Sequence, residues 1–141
     1  MKVLLAGLIL ALAPIALGLG SRQRVIAKGR LLCGTQPASN VYVKLVDEDD
    51  GPDPDDEMAD VRTNSNGEFH LDGTETEVTN IDPVLKIYHD CNDGIMPCQR
   101  KWRFKIPNKY INTQGDTSKV IDIGTWNLEM IADDEERDCI H

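Results

Sequence analysis

Residues 71–103, LDGTETEVTNIDPVLKIYHDCNDGIMPCQRKWR, restrict the fold of this chain more than any other stretch. Residues 83–89, PVLKIYH, alternate apolar and polar side chains between an Asp-Pro step and the turn-forming Cys91-Asn92-Asp93-Gly94. A second alternation, Lys101-Trp102-Arg103-Phe104-Lys105-Ile106, follows Cys98. Successive side chains of a strand point to opposite faces, so a period of two that ends at turn residues specifies a strand. The stretch therefore reads as strand, cysteine-bearing loop, strand, with Leu85, Ile87, Trp102 and Phe104 on inward faces.

The same grammar runs through the rest of the chain. Residues 25–32 are β-compatible, with Gly29 marking a bulge or a close approach. Residues 40–46 alternate, and with 25–32 they make a hairpin candidate. Asn66-Gly67 supplies the positive φ angles of a tight turn, which predicts a hairpin between 59–63 and 68–72. Residues 74–79 read as a polar crossing loop whose tail, Glu75 to Val78, is compatible with a short irregular strand, and 118–123 and 124–131 as the last two strands. No amphipathic helix of ten or more residues stands out. Short strands spaced by Gly, Pro and Asn turns predict an all-β fold: a two-sheet antiparallel β-sandwich of seven or eight strands. Its core is expected to contain Trp102, Phe104, Trp126, Phe69, Leu85 and Ile87.

Compartment is set by the N-terminus. Residues 3–19 are almost wholly apolar behind Met1-Lys2, with Pro14 inside the run and small residues at Gly18 and Gly20. This predicts a signal peptide over 1–20, cleaved near Gly18 or Gly20, ahead of one secreted domain at 21–141 with an acidic tail at 132–141. No second apolar run predicts an integral membrane protein. Cys33, Cys91, Cys98 and Cys139 then read as two disulfides, with three pairings open. The Cys91–Cys98 spacing is too wide for a zinc pair.

The chain has 15 Lys and Arg against 24 Asp and Glu, a net charge of −9. That balance argues against nucleic acid as a partner. The acids concentrate in residues 47–57, DEDDGPDPDDE. Asp47, Asp49, Asp50, Asp53, Asp55 and Asp56 are candidate ligands for calcium, a hard cation that takes carboxylates. No EF-hand register fits them, and a solvated loop that keeps a sheet edge from pairing is the reading favoured here. No other metal and no cofactor is called for. Against this acidic background, Lys101, Arg103 and Lys105 share one strand face, with Arg100 before them and Lys109 after. This basic stripe is the candidate binding site, with Tyr88 and Tyr110 as rim contacts; the alternative of equal weight is a solvated outward face paired with acids such as Glu129 on a neighbouring strand. Catalysis finds no such set: His89 and Asp90 are adjacent on a strand and point to opposite faces.

Several short motifs occur together across 25–139: Val25-x3-Gly29-x-Leu31-x-Cys33, Asn66-Gly67-Glu68-Phe69, Ile81-Asp82-Pro83-x-Leu85-Lys86-Ile87-x-His89-Asp90-Cys91, Cys98-x-Arg100-Lys101, Ile106-Pro107-x2-Tyr110-Ile111, Gly124-x2-Asn127-Leu128-Glu129 and Arg137-Asp138-Cys139. Together they resemble the nematode transthyretin-like family. The resemblance implies a secreted transthyretin-like (prealbumin-like) sandwich that binds extracellular ligands, including bridging of a cell-surface ligand to a receptor. The related hydroxyisourate hydrolases use a first-strand His, a buried Arg and a Tyr-Arg-Gly-Ser tail. This chain has no His in 24–32 and ends Arg137-Asp138-Cys139-Ile140-His141. The expectation is thus a non-enzymatic binding protein whose partner is a cell-surface receptor, an anionic lipid or another acidic group. The alternative is a carrier of a small hydrophobic ligand in an oligomeric channel, with Lys28 on the channel-facing strand.

Overall fold

The computed structural model describes residues 7, 20–49 and 55–141. Most of the expected signal peptide, and Asp50 and Asp53 of the acidic loop, lie outside the described residues. Among the described residues ten strands form: β1 (Ser21–Cys33), β2 (Gln36–Pro37), β3 (Tyr42–Asp47), β4 (Asp56–Arg62), β5 (Glu68–Glu77), β6 (Pro83–His89), β7 (Gln99–Lys105), β8 (Asn112–Thr113), β9 (Ile121–Asn127) and β10 (Glu136–Asp138). The excess over seven comes from β2, β8 and β10, each of two or three residues. Two five-stranded sheets result. In the first, β1 pairs antiparallel with β2, β5 and β8 and parallel with β9. The second is antiparallel throughout, in the order β10-β7-β6-β3-β4.

The two expected hairpins at the start of the chain are corrected. β1 and β3 lie in different sheets, and so do β4 and β5. The turn at 64–67 is a corner between sheets because it is clamped to β1. Asn64 Oδ1 accepts the backbone N–H groups of Asn66 and Glu68, at 3.0 and 2.9 Å. The Gly67 carbonyl accepts the Leu31 N–H at 2.8 Å. Gly67 has φ +76°, and a Cβ there would meet the Leu31 carbonyl oxygen at 2.1 Å, so only glycine fits. The chain leaves the corner along β1, and β5 pairs with it over residues 21–30. That long partner also draws residues 74–77 into β5, so the irregular strand at the tail of the crossing segment is a continuation of β5 and the loop is shorter than expected.

β9 replaces the two strands expected at 118–123 and 124–131. It follows β1 in parallel, with a register shift between Lys28 and Arg30 where Gly124 turns at φ +78°. Gly29 sits at the shift, and a Cβ there would come within 2.6 Å of Ile123 Cγ1.

The core lies between the sheets. Val25, Ala27 and Leu31 of β1 and Phe69 and Leu71 of β5 face Val43 and Leu45 of β3, Leu85 and Ile87 of β6, and Trp102 of β7; all are buried. Each is an alternate residue of its strand, as a half-buried sheet requires. Full burial of such a side chain contributes about 1.5–3 kcal/mol. Phe104 and Trp126 are only partly buried and pack at the margin of this cluster. Of the three possible pairings, the cysteines form Cys33–Cys91 and Cys98–Cys139. The first ties β1 to the end of β6, and so joins the two sheets. The second pins the chain beyond β10 to the loop before β7.

Candidate binding faces

The register of the second sheet places Lys101, Arg103 and Lys105 of β7 on its outward face, beside Tyr88, Lys86 and Val84 of β6. The outward row therefore exists, but most of its charge is already matched. Lys101 Nζ lies 3.1 Å from Glu136 and 3.6 Å from Asp138, both on β10, which pairs with β7. Arg103 forms a two-pronged ion pair with Glu48. Next in the row, Lys86 pairs with Asp55 at 2.5 Å. Lys105 is exposed, and Lys109 sits 5.2 Å from the centroid of the half-buried Tyr110 ring. Tyr88, expected as a rim contact, is buried at 3 % exposure. The ring of His141 stacks on it at 4.0 Å between centroids.

Arg100 belongs elsewhere. It points inward, is 5 % exposed, and serves as the hub of a buried polar network. Its guanidinium donates to the carbonyls of Cys91 at 2.8 Å, Leu128 at 2.9 Å and Met130 at 2.7 Å, and to Glu135 Oε1 at 2.9 and 2.6 Å. The Trp102 indole N–H donates to the same oxygen at 2.7 Å. Burial opposes the charge of Glu135, but the bonds from Arg100 and Trp102 outweigh it and hold the carboxyl below its usual range. A single basic residue thus collects three carbonyls from segments that no ladder pairs. His89 lies beside it, 2 % exposed, its ring at 5.7 Å and edge-on to Trp102. Burial, reinforced by the charge of Arg100, lowers its pKa to about 4. Its Nδ1 accepts the Cys91 N–H at 3.1 Å, so the neutral ring carries its proton on Nε2. Nearby, Asp93 is buried and held by Arg137 at 2.6 Å. These groups anchor the C-terminal segment.

The acidic loop divides as well. Asp55 is committed to Lys86, whereas Asp47, Asp49 and Asp56 gather with Glu77 of β5, one carboxylate oxygen of each lying within 4.8 Å of the others. Glu77 is the member the sequence did not single out, because its position depends on the crossing of β5 past the end of β3. Burial and the neighbouring Asp47 raise its pKa. Asp47, buried at 2 % exposure, also accepts the Asp82 N–H at 2.8 Å.

A second row of cations lies on the outward face of the other sheet. Alternate residues of β1 place Arg22, Arg24, Lys28 and Arg30 on its outward face. From Arg22 to Arg30 the strand advances about 27 Å. Arg24 is bridged to Asp72 by two bonds. Arg22 and Lys28 form no ion pair among the described residues, and the Arg30 side chain donates to the Asn66 carbonyl at 3.0 Å. Lys28 stands opposite His70 on β5 and opposite Asp122 on β9. Lys28, Arg30, His70, Glu68 and Asp122 border one shallow hollow of about 480 Å³, and Arg22 and Arg24 border a second of about 470 Å³. The row escapes a search for basic clusters because its members are two, four and two residues apart, with Ile26 between Arg24 and Lys28.

Among the described residues no helix is long and apolar enough to cross a membrane. The transthyretin-like family model (TTR-52) matches residues 28–107. Three proteins of Caenorhabditis elegans are similar over most of their length. Transthyretin-like protein 5 is 50 % identical over 123 residues, covering 87 % of this chain and 88 % of that one. Transthyretin-like protein 33 is 46 % identical, covering 81 % of this chain and 80 % of that one. Transthyretin-like protein 46 is also 46 % identical, covering 94 % of this chain and 75 % of that one. With the sandwich, its parallel β1–β9 pairing and its two disulfides in place, the chain belongs to the transthyretin-like family.

Proposed function

We propose that this chain is a secreted, non-enzymatic binding protein that docks an anionic partner outside the cell, a lipid headgroup surface or an acidic receptor patch, through the outward face of β1. One observation carries the reading. In a chain of net charge −9, Arg22, Lys28 and Arg30 are exposed and form no ion pair among the described residues. The basic stripe of β7 is the competing face. Its Lys101 and Arg103 already hold Glu136, Asp138 and Glu48, so engaging an anion there means displacing acids first. On β1 only Arg24 carries that cost. Near an anionic membrane each basic residue contributes about 1 kcal/mol, so three give roughly a hundredfold in capture.

The test is capture of the secreted protein on vesicles containing phosphatidylserine, compared with vesicles of phosphatidylcholine alone, with and without calcium. The reading expects capture on the anionic vesicles without calcium and loss of it as salt rises through a few hundred millimolar, because exposed charges are screened. Equal capture on both compositions, or capture that needs calcium, contradicts it. The second outcome moves the site to Asp47, Asp49, Asp56 and Glu77. The carrier reading makes a separate demand. Native mass spectrometry would have to show a tetramer.

A further inference from the structure

The chain has two tryptophans, and both line one cleft of about 260 Å³ at the seam between the sheets. Trp102 and Phe104 are inward residues of β7, and Trp126 comes from β9. Trp102 and Phe104 have ring centroids 6.1 Å apart with planes inclined at 55°, and Phe104 and Trp126 lie 5.1 Å apart at 63°. The rings are thus inclined walls and not a flat stack. Both indole N–H groups are already used, by Glu135 and by the Ile123 carbonyl at 2.6 Å. Trp102, 2 % exposed, closes the floor, so the apolar surface and π faces open to a ligand are those of the partly buried Phe104 and Trp126, without a free donor. Met130 and Ile131 continue the apolar lining out to exposed side chains.

The polar part of the lining is biased. Arg103 touches the cleft, but its guanidinium is held by Glu48. Asp133 also lines it and has no ion-pair partner among the described residues. Asp134 and Glu136 stand close enough to act on Arg103 as well. Aromatic faces beside an unmatched carboxylate suit an organic cation with an apolar shell. A ring face attracts positive charge, and a methylated ammonium sheds its water more readily than a primary one. A small inorganic cation would need converging oxygens, which three aromatic rings do not provide. The volume lies below the roughly 300–1,000 Å³ of pockets that enclose drug-sized ligands, which fits one headgroup.

We propose that the cleft between β7 and β9 binds a quaternary ammonium group of the choline type, against Phe104 and Trp126 above the buried Trp102, with Asp133 at the rim. Tryptophan emission reports directly on this site. Choline chloride is titrated into the folded full chain at constant ionic strength, with the uncharged isostere 3,3-dimethylbutanol in parallel. The site predicts a saturable change with choline and binding of the alcohol weaker by at least about fivefold. Asp133→Asn, an exposed position without an ion pair, should weaken choline and leave the alcohol unchanged. Trp126→Leu should weaken both. The absence of a saturable change with choline overturns the proposal, and so does an alcohol that binds as tightly as choline. A further response to phosphatidylcholine vesicles identifies a membrane source of the group, and a response to free choline alone a soluble one.

Discussion

At the scale of single residues, Arg100 shows how a basic side chain can mislead. In the sequence it heads a basic run, and strand alternation already separates it from Lys101. What alternation cannot show is that the inward position is wired to three carbonyls and a carboxylate. Removing one member of such a network leaves buried groups without partners, at a cost of about 3–5 kcal/mol. Arg100→Ala should therefore lower unfolding free energy by about that amount in urea. Charge removal at Lys105, which is exposed, should leave stability within about 0.5 kcal/mol of wild type. Equal small effects at both positions would place Arg100 on the surface after all.

His89 belongs to the same scale and gives the chain an acid sensitivity. Its folded pKa of about 4 lies below the usual 6.5, so the unfolded chain binds the proton first. Stability from keeping this ring neutral is complete above about pH 6.5 and falls as pH drops toward 4, by about 3 kcal/mol in all. The paired carboxylates, Glu135 among them, add a loss that begins lower, below their ordinary range near 4.5. Urea midpoints should decline between pH 6.5 and 4.5 in the wild type and stay nearly flat there in His89→Gln. A parallel decline in both proteins would assign the sensitivity to other groups.

At the scale of elements, the longer strands were legible and most of their partnerships were not. The alternations at 40–46, 83–89 and 101–106 each became a strand, and β6 and β7 pair as their spacing around the cysteine loop suggested. Partnership failed where a turn joins two sheets. Asn66-Gly67 has the same composition in a hairpin and in a corner, and only the docking of Gly67 onto Leu31 separates them. β10 was invisible for another reason: a three-residue strand of charged residues has no periodicity. It is made by its partner, by Lys101 and by the Cys98–Cys139 bridge, and it covers the β7 edge at residues 99–101. An uncovered edge invites pairing with another chain. Cys98→Ser combined with Cys139→Ser should lose roughly 2–4 kcal/mol of stability. Backbone amides on both sides of the β10–β7 ladder should also exchange faster. Unchanged exchange would show that the ion pairs alone hold β10.

At the scale of the whole molecule, the charge is sorted by face. Carboxylates gather at the tip where Asp47, Asp49, Asp56 and Glu77 meet, and along the C-terminal segment that neutralises β7. On the outward side of β1, Arg22, Lys28 and Arg30 form no ion pair among the described residues, and Arg24 is held by Asp72. Net charge and composition could show that a basic face would be exceptional here. They could not show which strand bears it, because that depends on which acids fold back onto which cations. Glu48, Glu136 and Asp138 are 55, 35 and 37 residues from the cations they hold. The decisive measurement is capture on phosphatidylserine vesicles by two charge-reversed variants of equal foldedness, one carrying Glu at Arg22, Lys28 and Arg30, the other at Lys101, Arg103 and Lys105. The β1 variant should lose capture by roughly a hundredfold or more, and the β7 variant should keep most of it. Loss in the β7 variant with full capture in the β1 variant would contradict the account and return the binding face to β7.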